Sequence, residues 1–274
     1  MNQDKKDYFN KVWDVLQPLV LYFLLHNAVF CILTFLFQAS LDLFGKGYAE
    51  LMMAHAETVT GVVSGTSMLL AAFPLIPMLR KELTAPKNRI GISEMIFTAV
   101  CAVTASLGLN VLLSITGLTE ASDSFRDVSQ RQFGIAFGIG VILYGVVSPL
   151  AEEIVFRGLL YNRMRKYYPA RIAIVLSGFF FGVYHGNLVQ GIYGTLMGIL
   201  MAYVYEETGR FLVPVLFHGL ANIAVYSVAF VPGLQEMIFR MDNCVVLLTI
   251  SVLCLICLRK IYHLKKSIQY ENVS

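Results

Sequence analysis

Apolar stretches of about twenty residues, the length that crosses a bilayer as a helix, recur along the chain between short polar segments. The pattern predicts eight membrane helices, near residues 13–38, 60–79, 92–117, 133–156, 172–189, 190–206, 211–231 and 243–262. In the second, Thr58 to Thr66 are polar and Gly-rich. Only His185 to Gln190 divide the fifth from the sixth. The predicted class is an all-α polytopic membrane protein.

Composition agrees. The chain of 274 residues is 57% hydrophobic and 14% charged, against about 25% charged in soluble domains. The distribution of charge predicts orientation through the positive-inside rule. With a cytoplasmic N-terminus, only Lys46, Arg126, Arg131 and Arg240 of the 21 basic residues face outward. The other 17, among them Lys87, Arg89, Arg163, Lys166, Lys265 and Lys266, face inward. Both termini are therefore expected in the cytoplasm. Residues 1–13 are polar and the apolar run that follows has no small-residue cleavage site, so the first span is expected to be retained. Cys254-x-x-Cys257 lies inside an apolar helix and reads as packing rather than a redox or metal pair. Nothing points to a nucleic acid or a soluble partner; the partners expected are the lipid bilayer and a peptide or membrane-protein substrate.

Candidate chemistry sits in Leu150–Ala151–Glu152–Glu153–Ile154–Val155–Phe156–Arg157–Gly158. Ionisable groups at membrane depth are costly and mark function by default. Glu153 and Arg157 are i,i+4 on a helix and can pair as a structural brace. Glu152 is about 100° round the helix and is left for chemistry. Two histidines join them. His185 ends Phe179–Phe180–Phe181–Gly182–Val183–Tyr184–His185, and His218 stands four residues before Asn222. The fourth and fifth spans meet at a turn near Tyr168–Pro169, from which Glu152 and His185 are equidistant. In an antiparallel hairpin both then lie about 24 Å from the turn and level with each other. Gly178, Gly182 and Gly186 repeat every four residues and would let the fifth span touch a partner helix.

Taken in order, Glu152–Glu153-x-x-x-Arg157, Phe181-x-x-x-His185 and His218-x-x-x-Asn222 resemble the three signatures of the CPBP intramembrane proteases, the group that includes type 2 CAAX prenyl proteases and bacterial Abi proteins. The lead Gly209–Arg210–Phe211–Leu212–Val213–Pro214 into His218 is similar as well. The resemblance covers about residues 133–231, making 1–132 an N-terminal set of about three spans. Residues 232–274 become a last span with a basic cytoplasmic tail. It implies that Glu152 and His185 activate a water for peptide hydrolysis, while His218 and Asn222 stabilise the oxyanion. Neither Ser148 nor Ser177 has a nucleophile's His-Asp context. The family is often labelled metalloprotease. A divalent metal such as zinc could be held by Glu152, His185 and His218, since catalytic zinc commonly takes three protein ligands. There is no H-E-x-x-H here, and the reading leans towards a metal-independent glutamate mechanism.

The implied function is an intramembrane endopeptidase near the cytoplasmic face of a bacterial cell membrane, acting in peptide or protein maturation, bacteriocin immunity or signalling. A proton-coupled transporter is the alternative, but such carriers show paired, broken helices from internal repeats, which this sequence lacks. A non-catalytic scaffold on the same fold is the other. The topology makes a direct prediction. Single cysteines placed near Lys166 and Lys265 should react with an impermeant reagent from the cytoplasmic side, and one near Ser122 from the opposite side. Reaction of the Ser122 position from the cytoplasm would reverse it.

Overall fold

The computed structural model describes residues 3–83 and 90–271, and of Gln3 and residues 265–271 the backbone alone. Lys87 and Arg89, counted above as inward-facing, lie outside the described residues. Those described are almost entirely helical, without a strand among them. Among the described residues, seven helices are long and apolar enough to cross a membrane, and a helix is what spans where no water can satisfy an open backbone. In chain order they are α1 (Gln3–Phe44), α3 (Ala56–Glu82), α4 (Ile92–Ile115), α7 (Phe137–Tyr167), α9 (Leu188–Thr208), α10 (Leu212–Phe230) and α12 (Met241–Glu271). Between them stand the short helices α2 (Lys46–Ala54), α5 (Leu118–Ala121), α6 (Asp123–Phe133) and α11 (Leu234–Ile238).

The expected fifth span is α8 (Ala170–Tyr184), an apolar helix of 15 residues. That is about 22 Å, short of a bilayer core of about 30 Å. It stops early because Gly186 takes a positive φ of 74°, the left-handed conformation that ends helices. The Asn187 side chain then caps α9 by accepting from Gln190 N at 2.9 Å. Gly186 thus makes the turn instead of extending the small-residue face.

The helices gather into two compact units, Met1–Leu83 with Val128–Pro169, and Thr84–Asp127 with Ala170–Ser274. In the first, α1 and the end of α3 pack on α7, whose segment Ile154–Tyr161 is wholly buried. α7 is not uniformly α-helical. It widens into π turns at Leu143–Val147 and again at Ile154–Tyr161, on either side of Ser148–Glu153. Pro149 explains the first. It has no N–H to donate and its ring crowds the carbonyl four residues back, which is that of Gly145, inside the wide turn. In the second, the Asn162 amide donates to the Gly158 carbonyl at 3.0 Å, so this acceptor is satisfied where the ladder is irregular.

One end of this unit is tied by charge. Arg163 is 7% exposed. It donates to the Asp14 carbonyl at 2.6 Å, to Gln17 Oε1 at 3.2 Å and to Glu82 Oε1 at 3.2 Å. Lys166 meets the same Glu82 oxygen at 2.8 Å, and the Tyr167 hydroxyl donates to Asp14 Oδ2 at 2.9 Å. These contacts join α1, α3 and α7. Arg163, counted above among the inward-facing charges, is a buried clasp.

In the second unit α12 and α10 pack along α4, and α8 packs along α9. Thr104 and Ser251 share a hydrogen bond of 2.8 Å between α4 and α12. The Tyr193 hydroxyl of α9 bonds to Asn110 and Ser106 of α4. All five cysteines are free thiols, Cys254 buried and Cys257 half-buried, with no disulfide in the Cys-x-x-Cys stretch.

Unequal burial of the two cations predicts unequal effects. Arg163→Ala leaves three part-buried acceptors without their donor and should cost about 2 kcal/mol. Lys166→Ala, at a half-exposed site, should cost less than about 1 kcal/mol. Thermal unfolding of the purified variants in detergent measures both, and equal losses would contradict the clasp.

Candidate active site

In the first unit Glu152 is 6% exposed, and Glu153 and Arg157 not at all. Arg157 Nη1 donates to Glu153 Oε1 at 2.8 Å. Desolvating two ions is expensive, and only close geometry offsets it. Here the two share one turn of α7, so the pair forms wherever that turn forms. Glu152 faces elsewhere and accepts from the Ser148 hydroxyl at 2.7 Å. Arg157 also lies within electrostatic reach of Glu152. Ser148 therefore enters as a hydrogen-bond donor to the carboxylate.

In the second unit His185 stands at the C-terminal end of α8 and His218 within α10. His185 is half-buried and His218 is 6% exposed. The Phe181 ring meets both edge to face, with centroids 4.9 Å from His185 and 5.4 Å from His218. The Nδ1 of His185 lies 2.8 Å from the Phe181 carbonyl. A carbonyl only accepts, so Nδ1 carries a proton and, in a neutral ring, Nε2 is the acceptor. The half-buried Asn222 follows His218 by one turn.

Close helix approach holds this arrangement. A methyl at Gly182 would collide with the Thr195 side chain and the Gly191 carbonyl, and one at Gly178 would lie 2.6 Å from Ile199. From the other side, a methyl at Gly198 would lie 2.8 Å from the Gly178 Cα. A methyl at Gly194 would lie 3.4 Å from His185 Nδ1. Small residues on both faces let the backbones touch. The sequence pattern exposes the α8 face; its complement of Gly191, Gly194, Thr195 and Gly198 becomes evident only in contact.

Sequence reasoning passes over one further residue. His26, in α1, stacks on the fully buried Tyr22 with centroids 5.7 Å apart and an interplanar angle of 19°. It lies within electrostatic reach of Glu152. The available signal is that it is the one histidine in the apolar run between Asp14 and Asp42, where an ionisable group is costly. Within either unit alone, the described residues gather no set of three His, Cys, Asp or Glu side chains able to hold a metal ion.

The fold and these polar groups define a multi-pass integral membrane protein with buried carboxylate and imidazole chemistry. Residues 134–224, which contain every candidate residue except His26, match the family model described as "Type II CAAX prenyl endopeptidase Rce1-like". The chain is also 26% identical over 196 residues to a Bacillus subtilis (strain 168) protein named "Putative membrane peptidase YdiL", covering 67% of this chain and 78% of that one. No solved structure matches. Through this core the chain is similar to the CPBP family of CAAX-type proteases, and that similarity supports an intramembrane protease at the family level.

The ion pair makes its own prediction. Arg157→Ala leaves a buried carboxylate without its cation, a loss of about 3–5 kcal/mol. The yield of monodisperse protein should fall together with activity. A well-folded but inactive Arg157→Ala would assign Arg157 to the chemistry instead.

Proposed function

We propose that the protein is an endopeptidase that hydrolyses a peptide bond near the cytoplasmic face of the membrane, using a water activated by Glu152 and His185. The observation that carries the reading is the shared contact of His185 and His218 with Phe181, inside the segment that matches the family. The hydrogen bond to the Phe181 carbonyl leaves His185 Nε2 as an acceptor for a water proton. The Ser148 hydroxyl orients the Glu152 carboxylate. Glu152 takes the proton from the attacking water and delivers it to the leaving amine, as a positioned general base and then acid. His218 and Asn222, one turn apart on α10, donate to the carbonyl oxygen as it gains charge. The proposed chemistry routes no step through a metal. Equal spacing of Glu152 and His185 from Tyr168–Pro169 supports their joint action. The substrate class is a membrane-associated peptide or protein, and the setting is maturation of such a substrate in a bacterial membrane, in keeping with the Bacillus relative.

Mass-spectrometric peptide profiles of membranes carrying wild type, Glu152→Gln and Asn222→Ala test this directly. Products present with wild type should vanish in Glu152→Gln, which keeps the shape of the side chain and removes the base. In Asn222→Ala they should form slowly, because losing one oxyanion donor costs about 2.7–4 kcal/mol of transition-state stabilisation. Undiminished products in Glu152→Gln would overturn the assignment. Loss of wild-type cleavage on chelation, restored by zinc, would make these side chains metal ligands.

A further inference from the structure

We propose that His26, on α1 and outside the family-matched segment, is a positioning residue for Glu152. With the Ser148 hydroxyl, it would set the orientation of the carboxylate.

Three observations converge on this. The first is register. α1 and α7 run antiparallel, since Asp14 bonds to Tyr167 and Gln17 to Arg163. From Gln17 to His26 is nine residues along α1, and from Arg163 back to Glu152 is eleven along α7. These are rises of about 14 and 17 Å, so the clasp at one end of the helix pair brings His26 to the height of Glu152. The second is orientation. Tyr22, one turn before His26, is fully buried and stacks on the imidazole, which fixes the plane of the ring. The third is charge. His26 lies within electrostatic reach of Glu152, and charges are less screened where water is excluded. Glu153 and Arg157, on the same helix as Glu152, are paired with each other. His26 is thus an ionisable neighbour brought to this carboxylate by another helix.

The arrangement has a purpose if Glu152 acts as the base, and to that extent the proposal rests on the function given above. A carboxylate on a helix widened at both flanks needs a fixed reference outside that helix. A misplacement of about 1 Å in a reacting group costs on the order of a hundredfold in rate. α1 is the helix that the clasp holds against α7.

Infrared difference spectroscopy on the purified full-length protein separates the two claims. The carbonyl band of protonated Glu152 is isolated as wild type minus Glu152→Gln at acidic pH. It should be displaced in His26→Phe and, to a smaller extent, in His26→Gln, which keeps a neutral hydrogen-bonding group and is the milder change should the Phe variant fail to fold. Products that depend on Glu152 should form about tenfold or more slowly with His26→Phe and be partly restored with His26→Gln. A Glu152 band unchanged in the folded His26 variants overturns the positioning role, whatever the peptide profiles show. A displaced band in a protein whose products survive Glu152→Gln keeps the positioning role and refutes the catalytic role of Glu152 instead.

Discussion

A fully buried ion pair inside one turn of one helix constrains everything near it. Glu153 and Arg157 can be taken out of water only together and only at hydrogen-bond distance, 2.8 Å here. The pair links the regular stretch Ser148–Glu153 of α7 to the π turn that follows it. Because Glu153 is committed to Arg157, Glu152 must point away from that pair, and its Oε1 accepts from Ser148. The packing around Ile154–Tyr161 follows from the same need. Phe156, Leu159 and Leu160 are without measurable exposure and help keep water from the pair.

The irregularity of α7 belongs to the same logic. π turns are uncommon and cluster at functional sites in helices. Here Pro149 gives the first a local physical cause by acting on the carbonyl of Gly145, and in the second the Asn162 amide takes up the Gly158 carbonyl. The Glu pair lies in the regular stretch between them. Its surroundings come partly from a helix outside the family-matched residues. The Arg163 clasp sets the register of α1 on α7, so a structural contact near one end of the unit determines which α1 side chain reaches the depth of the carboxylate.

The second unit solves a different problem. Lipid supplies no hydrophobic drive for helix association, so close approach and a few hydrogen bonds must do it. Gly178 and Gly182 meet Gly191, Gly194 and Gly198, and the backbones come close enough that a methyl group would collide. Gly194 lies against His185, so the packing that joins α8 to α9 also places the imidazole. Phe181 then fills the space beside both histidines.

The amino-acid sequence by itself determined the class of protein, most helix boundaries to within a few residues, the Glu153–Arg157 pair and the resemblance to the CPBP proteases. All of these rest on local quantities: length of apolar runs, i,i+4 spacing and ordered motifs. It left the short α8 to be read as a full span. Apolar composition continues past Tyr184, and only the left-handed turn at Gly186 marks the end. It gave no sign of the Arg163 contacts and left His26 unremarked. Asp14, Gln17 and Glu82, which Arg163 meets, and Glu152, within reach of His26, are more than eighty residues away in the chain, on helices whose register no local pattern encodes. Tertiary structure decided those contacts, the glycine complement on α9 and the shared Phe181 contact, because each depends on which faces of separate helices meet and at what height.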